Sequence, residues 1–147
     1  MELESVFKKI NFVARYQNIC TNHNDFDKSM SGGNKKMYME KIKIFDSSVI
    51  YLSKDKMFKI SFALHDYSLD LGLSLHNGLV EARLFYIKNS KWLIYNRFDG
   101  IAEELQEGFR DHFTIPKYCS ETELESILKD IFSIYEDVKK EVIRSKT

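Results

Sequence analysis

Cysteine, net charge, long apolar runs and catalytic signatures are all scarce in this sequence, and each shortage removes a class of explanation. Cys20 and Cys119 are the only cysteines among 147 residues. Two thiols make no disulfide scaffold in a chain of this size, and no C-x-x-C is present, so both are expected to be reduced, buried small hydrophobes. Lys plus Arg and Asp plus Glu both number 22, for a formal net charge of zero. A dedicated nucleic-acid binder needs a cationic surplus to release counterions, so no direct contact with nucleic acid is expected. The longest apolar runs are a few residues, too short to span a bilayer. The start, Met1-Glu2-Leu3-Glu4, is acidic where a secretory signal is basic, so the expected location is the cytoplasm.

Motifs for chemistry are equally thin. His23, His65, His76 and His112 form no H-x-x-x-H or H-x-E pattern. Asp25, Asp27 and Ser29 have calcium-loop spacing, but Met30 and Lys36 stand where that loop requires Gly and Glu. Gly32-Gly33-Asn34-Lys35-Lys36 lacks the first glycine and the closing Ser or Thr of a P-loop. No G-x-S-x-G or G-x-G-x-x-G occurs. No metal, no cofactor and no enzymatic activity are expected.

What is present describes a globular protein. Hydrophobic residues make up 44%, aromatics 14% and charged residues 30%, and the length fits one domain over 1–147. Leu3, Val6, Phe7, Ile10, Val13 and Ala14 recur at helical spacing and predict a helix over 3–20. The polar stretch 21–36, with Gly32-Gly33, reads as a loop. From Met37 the pattern reads as strand: Ile42 and Ile44 alternate with Lys41 and Lys43 over 37–45. Val49 to Ser53 is a short second strand, and Phe58, Ile60, Phe62 and Leu64 alternate with polar or small residues in a third. Leu69, Leu71, Leu73 and Leu75 then lead into Asn77-Gly78, the preferred pair for a type I′ hairpin turn. A two-residue loop fixes the register: His76 faces Leu79, Leu75 faces Val80, Leu73 faces Ala82, Leu71 faces Leu84, and Leu69 faces Tyr86. Turn chemistry and apolar pattern agree independently, and a one-residue slip would destroy the match.

Asn89-Ser90 makes a further turn, after which Leu93 and Tyr95 are expected on the core face. Asp99 is placed to cap a helix through about Asp111, and Pro116 blocks its continuation. Ser120 with Glu123 is a capping box opening a helix through about Arg144, with the stripe Leu124, Ile127, Leu128, Ile131, Tyr135, Val138 and Val142. The fold class is α+β: an antiparallel meander of five to six strands over 37–97, with an N-terminal helix and two C-terminal helices.

The opposite face of the meander is mixed. Asp70, Ser74, His76, Glu81 and Arg83 share it with Leu79, Phe85, Ile87, Trp92 and Ile94, where the register sets Ile87 opposite Trp92 and Phe85 opposite Ile94. Either a helix covers this face or another molecule does, with Trp92 as anchor. His76, Glu81 and Arg83 offer an acid, a base and a phosphate clamp, the outline of a small RNA-cleaving or RNA-binding enzyme. Charge is also segregated. Residues 28–59 hold eight Lys against three acids, whereas 99–125 hold eight acids against Arg110 and Lys117.

A leading helix, a meander and a closing acidic helical region, most of all Leu69–Leu105 (LDLGLSLHNGLVEARLFYIKNSKWLIYNRFDGIAEEL), resemble the immunity proteins of bacterial polymorphic and contact-dependent toxin systems. The resemblance is one of size and texture, and no family residue carries over. It implies binding to one cognate toxin, a basic nuclease being one candidate, and no catalysis. The natural toxin-facing surface would then be Asp99, Glu103, Glu104, Glu107 and Asp111, with Trp92 as the apolar anchor. The basic strip at 28–59 is not part of that pattern. A self-associating adaptor, a homodimer through Trp92, is the remaining alternative.

Overall fold

The Asn77-Gly78 turn sets the register of the sheet. In the computed structural model, which describes residues 1–28 and 34–146, Asn77 has φ 53° and Gly78 φ 78°. Positive values at both positions are what a type I′ turn demands. The five strands are β1 (Ile50–Leu52), β2 (Met57–Leu64), β3 (Tyr67–His76), β4 (Leu79–Lys88) and β5 (Lys91–Arg97). They form one antiparallel meander in sequence order. Every β3–β4 pair expected from the turn is found, from His76 opposite Leu79 to Leu69 opposite Tyr86. Asn89 and Ser90 also take positive φ, 50° and 64°, and join β4 to β5.

Around the sheet lie α1 (Glu4–Lys9), α2 (Phe12–Asn22), α3 (Lys35–Lys43), α4 (Phe98–Leu105), α5 (Phe109–His112) and α6 (Glu121–Lys146), with a 3₁₀ turn at Phe26–Lys28. Helices pack on one face of the sheet, and that face carries the core. Phe58, Ile60, Leu69, Leu71, Leu73, Leu75, Val80, Ala82, Leu84, Tyr86 and Ile94 are all buried there. The whole expected α6 stripe, Leu124 to Val142, is buried opposite them. Tyr135 ties the two layers by donating to the Leu69 carbonyl at 2.7 Å. Burying one such Leu or Ile contributes about 1.5–3 kcal/mol.

Several local expectations are corrected. Residues 37–45 are not a strand: α3 runs over Lys35–Lys43, so the sheet begins at Ile50 and has five strands. Asn34 caps α3, its side-chain oxygen accepting the Met37 N–H at 2.9 Å. Tyr38 and Ile42, four apart, are both buried, whereas Ile44 is exposed. Lys, Met and Glu favour helix, and Lys41 reaches Glu125 of α6 at 2.6 Å. Of the loop expected at 21–36, residues 29–33, with Gly32-Gly33, lie outside the described residues.

The N-terminal helix breaks at Asn11, which sits at φ 58°, a conformation Asn tolerates. Five residues apart on one helix, Phe7 and Phe12 would point about 140° apart. The break lets both face the core, with ring centroids 5.0 Å apart.

The helix expected from Asp99 to Asp111 is divided at Gly108, where φ is 90°. Glu103 spans the break, accepting the N–H groups of Gly108 and Arg110, each at 2.8 Å. Asp99 is not the cap; Arg97 occupies that position and Asp99 lies in the first turn. At α6 the capping box is displaced by one residue. Ser120 Oγ accepts the Glu123 N–H at 3.1 Å, but Glu123 reaches back to the Cys119 N–H, at 2.6 Å.

The last correction is in β5. Ile87 does pair with Trp92, but Tyr86 pairs with Ile94 and Phe85 with Tyr95. Leu93 is therefore an extra residue, a β-bulge. It returns Ile94 to the core and turns Tyr95 out to the opposite face, where it is 65% exposed.

Candidate functional site

That opposite face carries a groove of about 830 Å³ over the central strands. Its floor is closed by its own side chains. Gly72 of β3 has no side chain, and a Cβ there would meet Met57 Sδ at 2.5 Å and Phe85 Cε2 at 2.8 Å. The glycine thus makes room for both, and both are buried. Lys59 Nζ lies 5.7 Å from the centre of the Phe85 ring and pairs with buried Asp70 at 3.2 Å. Ser68 donates to the other Asp70 oxygen at 2.8 Å.

Trp92 and Tyr95 stand on Phe85. The ring centroids are 5.9 Å apart for Phe85–Trp92, 5.0 Å for Phe85–Tyr95 and 5.2 Å for Trp92–Tyr95, all edge-to-face, the arrangement that aromatic quadrupoles favour. Phe85 is 4% exposed, Trp92 53%. The bulge at Leu93 creates this cluster, because without it Tyr95 would lie on the core side.

Beside the aromatics runs a line of charge. Glu81 is its centre: His76 Nε2 is 3.6 Å away, Arg83 Nη1 3.5 Å and Arg97 Nη1 3.5 Å. Arg83 also donates to Ser74 Oγ at 3.2 Å. Arg97 holds Asp99 through two bonds, of 2.9 and 2.7 Å, and Arg110 Nε reaches the same carboxylate at 3.1 Å. Burial pushes the Asp99 carboxyl up, but the Arg97 hydrogen bonds and the charges of Arg97 and Arg110 outweigh it and hold it below the usual range.

The expected toxin-facing residues divide. Asp99 is buried and spent on two arginines, so it offers no surface charge. Glu103 is spent on the α4–α5 turn, and those two backbone N–H groups lower its carboxyl below the usual value. Glu104, Glu107 and Asp111 are exposed. Trp92 is exposed too, but on the open sheet face. Farther along the same acidic segment, Glu121 and Glu125 are held by Lys41 and Glu123 by His23. Much of the segment's charge therefore acts within the fold.

His76, Glu81 and Arg83 do come together, as the register requires. Both neighbouring arginines are engaged with Glu81, Ser74 or Asp99, so neither presents an unoccupied guanidinium to a phosphate. Cys20 and His23, three apart in sequence, have separate surroundings: burial pushes the Cys20 thiol up to about 12, and His23 Nδ1 meets Glu123 at 2.7 Å. Among the described residues no group of three His, Cys, Asp or Glu is placed to hold a metal, and no helix is long and apolar enough to cross a membrane.

Sequence reasoning missed Tyr95 and Arg97 as site residues; Lys35 and Lys56, at the groove's other end, were read only as part of the basic strip at 28–59. Arg97-x-Asp99 was the one readable signal, an ion pair two residues apart. Comparison of the chain with protein-family models, curated proteins and solved structures finds no match in any of the three.

Proposed function

We propose that this chain is an immunity-type binding protein, located in the cytoplasm, that neutralises a cognate bacterial toxin by covering its active or substrate surface, and that it docks through the open sheet face. One observation carries the reading: Trp92 and Tyr95 stand exposed on a buried Phe85, next to the charge line of Glu81, Arg83 and Arg97. Binding energy at interfaces concentrates in Trp, Tyr and Arg held in such rigid, hydrogen-bonded settings. The cluster has its polar groups paired and its aromatic edges bare, which suits a protein partner and needs no catalysis by the chain itself. The test is to mix the protein with the toxin encoded beside it and measure the complex. A nanomolar complex that Trp92→Ala weakens supports the reading; no complex refutes it.

A second reading rests on the convergence of His76 and Arg83 on Glu81: a small RNA-cleaving or RNA-binding protein. An RNA-cleavage assay decides it, since loss of activity in His76→Ala would favour it and equal activity would remove His76 from any role.

A further inference from the structure

We infer that the partner segment received by the groove is acidic, a stretch of protein carrying carboxylates around one apolar side chain; this rests on the docking reading above and names the chemistry of its occupant. Lys35, Lys56, Lys59 and Arg83 line the groove against Asp55 and Glu81. Lys59 and Arg83 are ion-paired to Asp70 and Glu81. Lys35 and Lys56 are exposed and have no carboxylate partner among the described residues. Lys35 Nζ lies 4.3 Å above the Tyr51 ring, which holds the ammonium at the mouth. Lys35 and Lys36 also open α3, so the positive pole of that helix adds to their charge. Lys54 stands in the same β1–β2 turn as Lys56, and both are exposed.

The groove therefore has a basic mouth at α3 and the β1–β2 turn and an aromatic far end at Trp92 and Tyr95 on β5. A protein segment matches that layout by placing its carboxylates at the mouth and its apolar side chain on the rings. A nucleic-acid strand does not, because it would carry a phosphate at every nucleotide past Asp55 and Glu81. A basic partner surface would meet Lys35 and Lys56 as like charges.

Trp92 is the only tryptophan in the chain, so its emission reports directly on the groove. The experiment titrates the whole protein with three probes: an acidic dodecapeptide of Asp and Glu around one Leu, the same peptide with Lys for the acids, and a decamer of oligo-uridylate. The expected result is a saturable change in Trp92 emission with the acidic peptide alone, weakened by salt. Lys35→Glu with Lys56→Glu should reduce that affinity by about tenfold. Both sites are on the surface, and a Glu in the first turn of α3 suits the helix dipole, so the variant stays folded. No response to the acidic peptide, a response only to the basic peptide or the oligonucleotide, or no effect of the charge reversal overturns the inference. The toxin complex separates the two claims. If Trp92→Ala weakens it and the charge reversal does not, the docking face stands and the acidic occupant falls. If the toxin does not bind at all, the immunity reading falls, and the peptide titration still decides what the groove accepts.

Discussion

On one face of the sheet, Leu69, Leu71 and Leu73 of β3 are covered by helices to within 1% of full burial; on the other, Trp92 and Tyr95 of β5 are more than half exposed. The covered face is uniform and apolar, and its neighbours are fixed by the alternation of side chains along each strand. The open face is mixed and is held by specific devices: a glycine that admits Met57 and Phe85, a bulge that turns out Tyr95, and a carboxylate shared by two arginines and a histidine. The first face has the construction of a core. The second has rigid aromatics with paired charges beside them, the feature on which the proposed docking rests.

Substitutions should separate the two faces by size and kind of effect. Leu71→Ala, at a fully buried position, should cost about 3 kcal/mol in urea unfolding with an unchanged slope. Provided the protein is folded, partner affinity should be unaltered; a loss of affinity in the folded variant would mean the faces are coupled.

Asp99→Asn removes the carboxylate that joins Arg97 to Arg110 and should cost about 2 kcal/mol at neutral pH, less than for a fully buried pair because both arginines are partly exposed. Its pH dependence has a definite sign. A carboxyl held below its ordinary 3.8 contributes its full stabilisation above about pH 4 and loses it as pH falls through the lower folded value. The urea midpoint of the native protein should therefore fall more between pH 7 and pH 3 than that of Asp99→Asn. Equal falls would show that the Asp99 network adds nothing to folding.

Gly72→Ala should cost about 1–2 kcal/mol, because the new Cβ drives into Met57 and the buried Phe85. It should also shift Trp92 emission, since Trp92 packs on Phe85. Destabilisation without an emission change would place the strain elsewhere. Smallest of all, Trp92→Ala should change stability by less than about 1 kcal/mol, as expected for a half-exposed side chain.

The same contrast explains what could be read from the sequence. The β3–β4 hairpin was legible because Asn77-Gly78 and the leucine alternation are local and agree. The α6 stripe was legible because its period persists over the whole helix. Lys41-Ile42-Lys43-Ile44 was misread because four residues fit either period, and the deciding partner, Glu125, is 84 positions away. The bulge at Leu93 carries no glycine to mark it, so Tyr95 was assigned to the core. Asp99 was read as a cap because an acid at a helix start usually is one; Arg110, which helps bury it, comes close only through the turn held by Glu103. The open face was legible in composition but not in geometry, because its glycine, bulge and shared carboxylate act across strands.

The most direct test measures the affinity of the cognate toxin for the native protein, for Trp92→Ala, and for a variant with Glu104, Glu107 and Asp111 changed to Lys. Docking through the open face predicts that Trp92→Ala loses about 2 kcal/mol or more of binding, the scale of an interface hot spot, and that the acid-to-lysine variant stays close to native. Native affinity in Trp92→Ala with binding abolished in the lysine variant would contradict it and place the interface on the acidic helices.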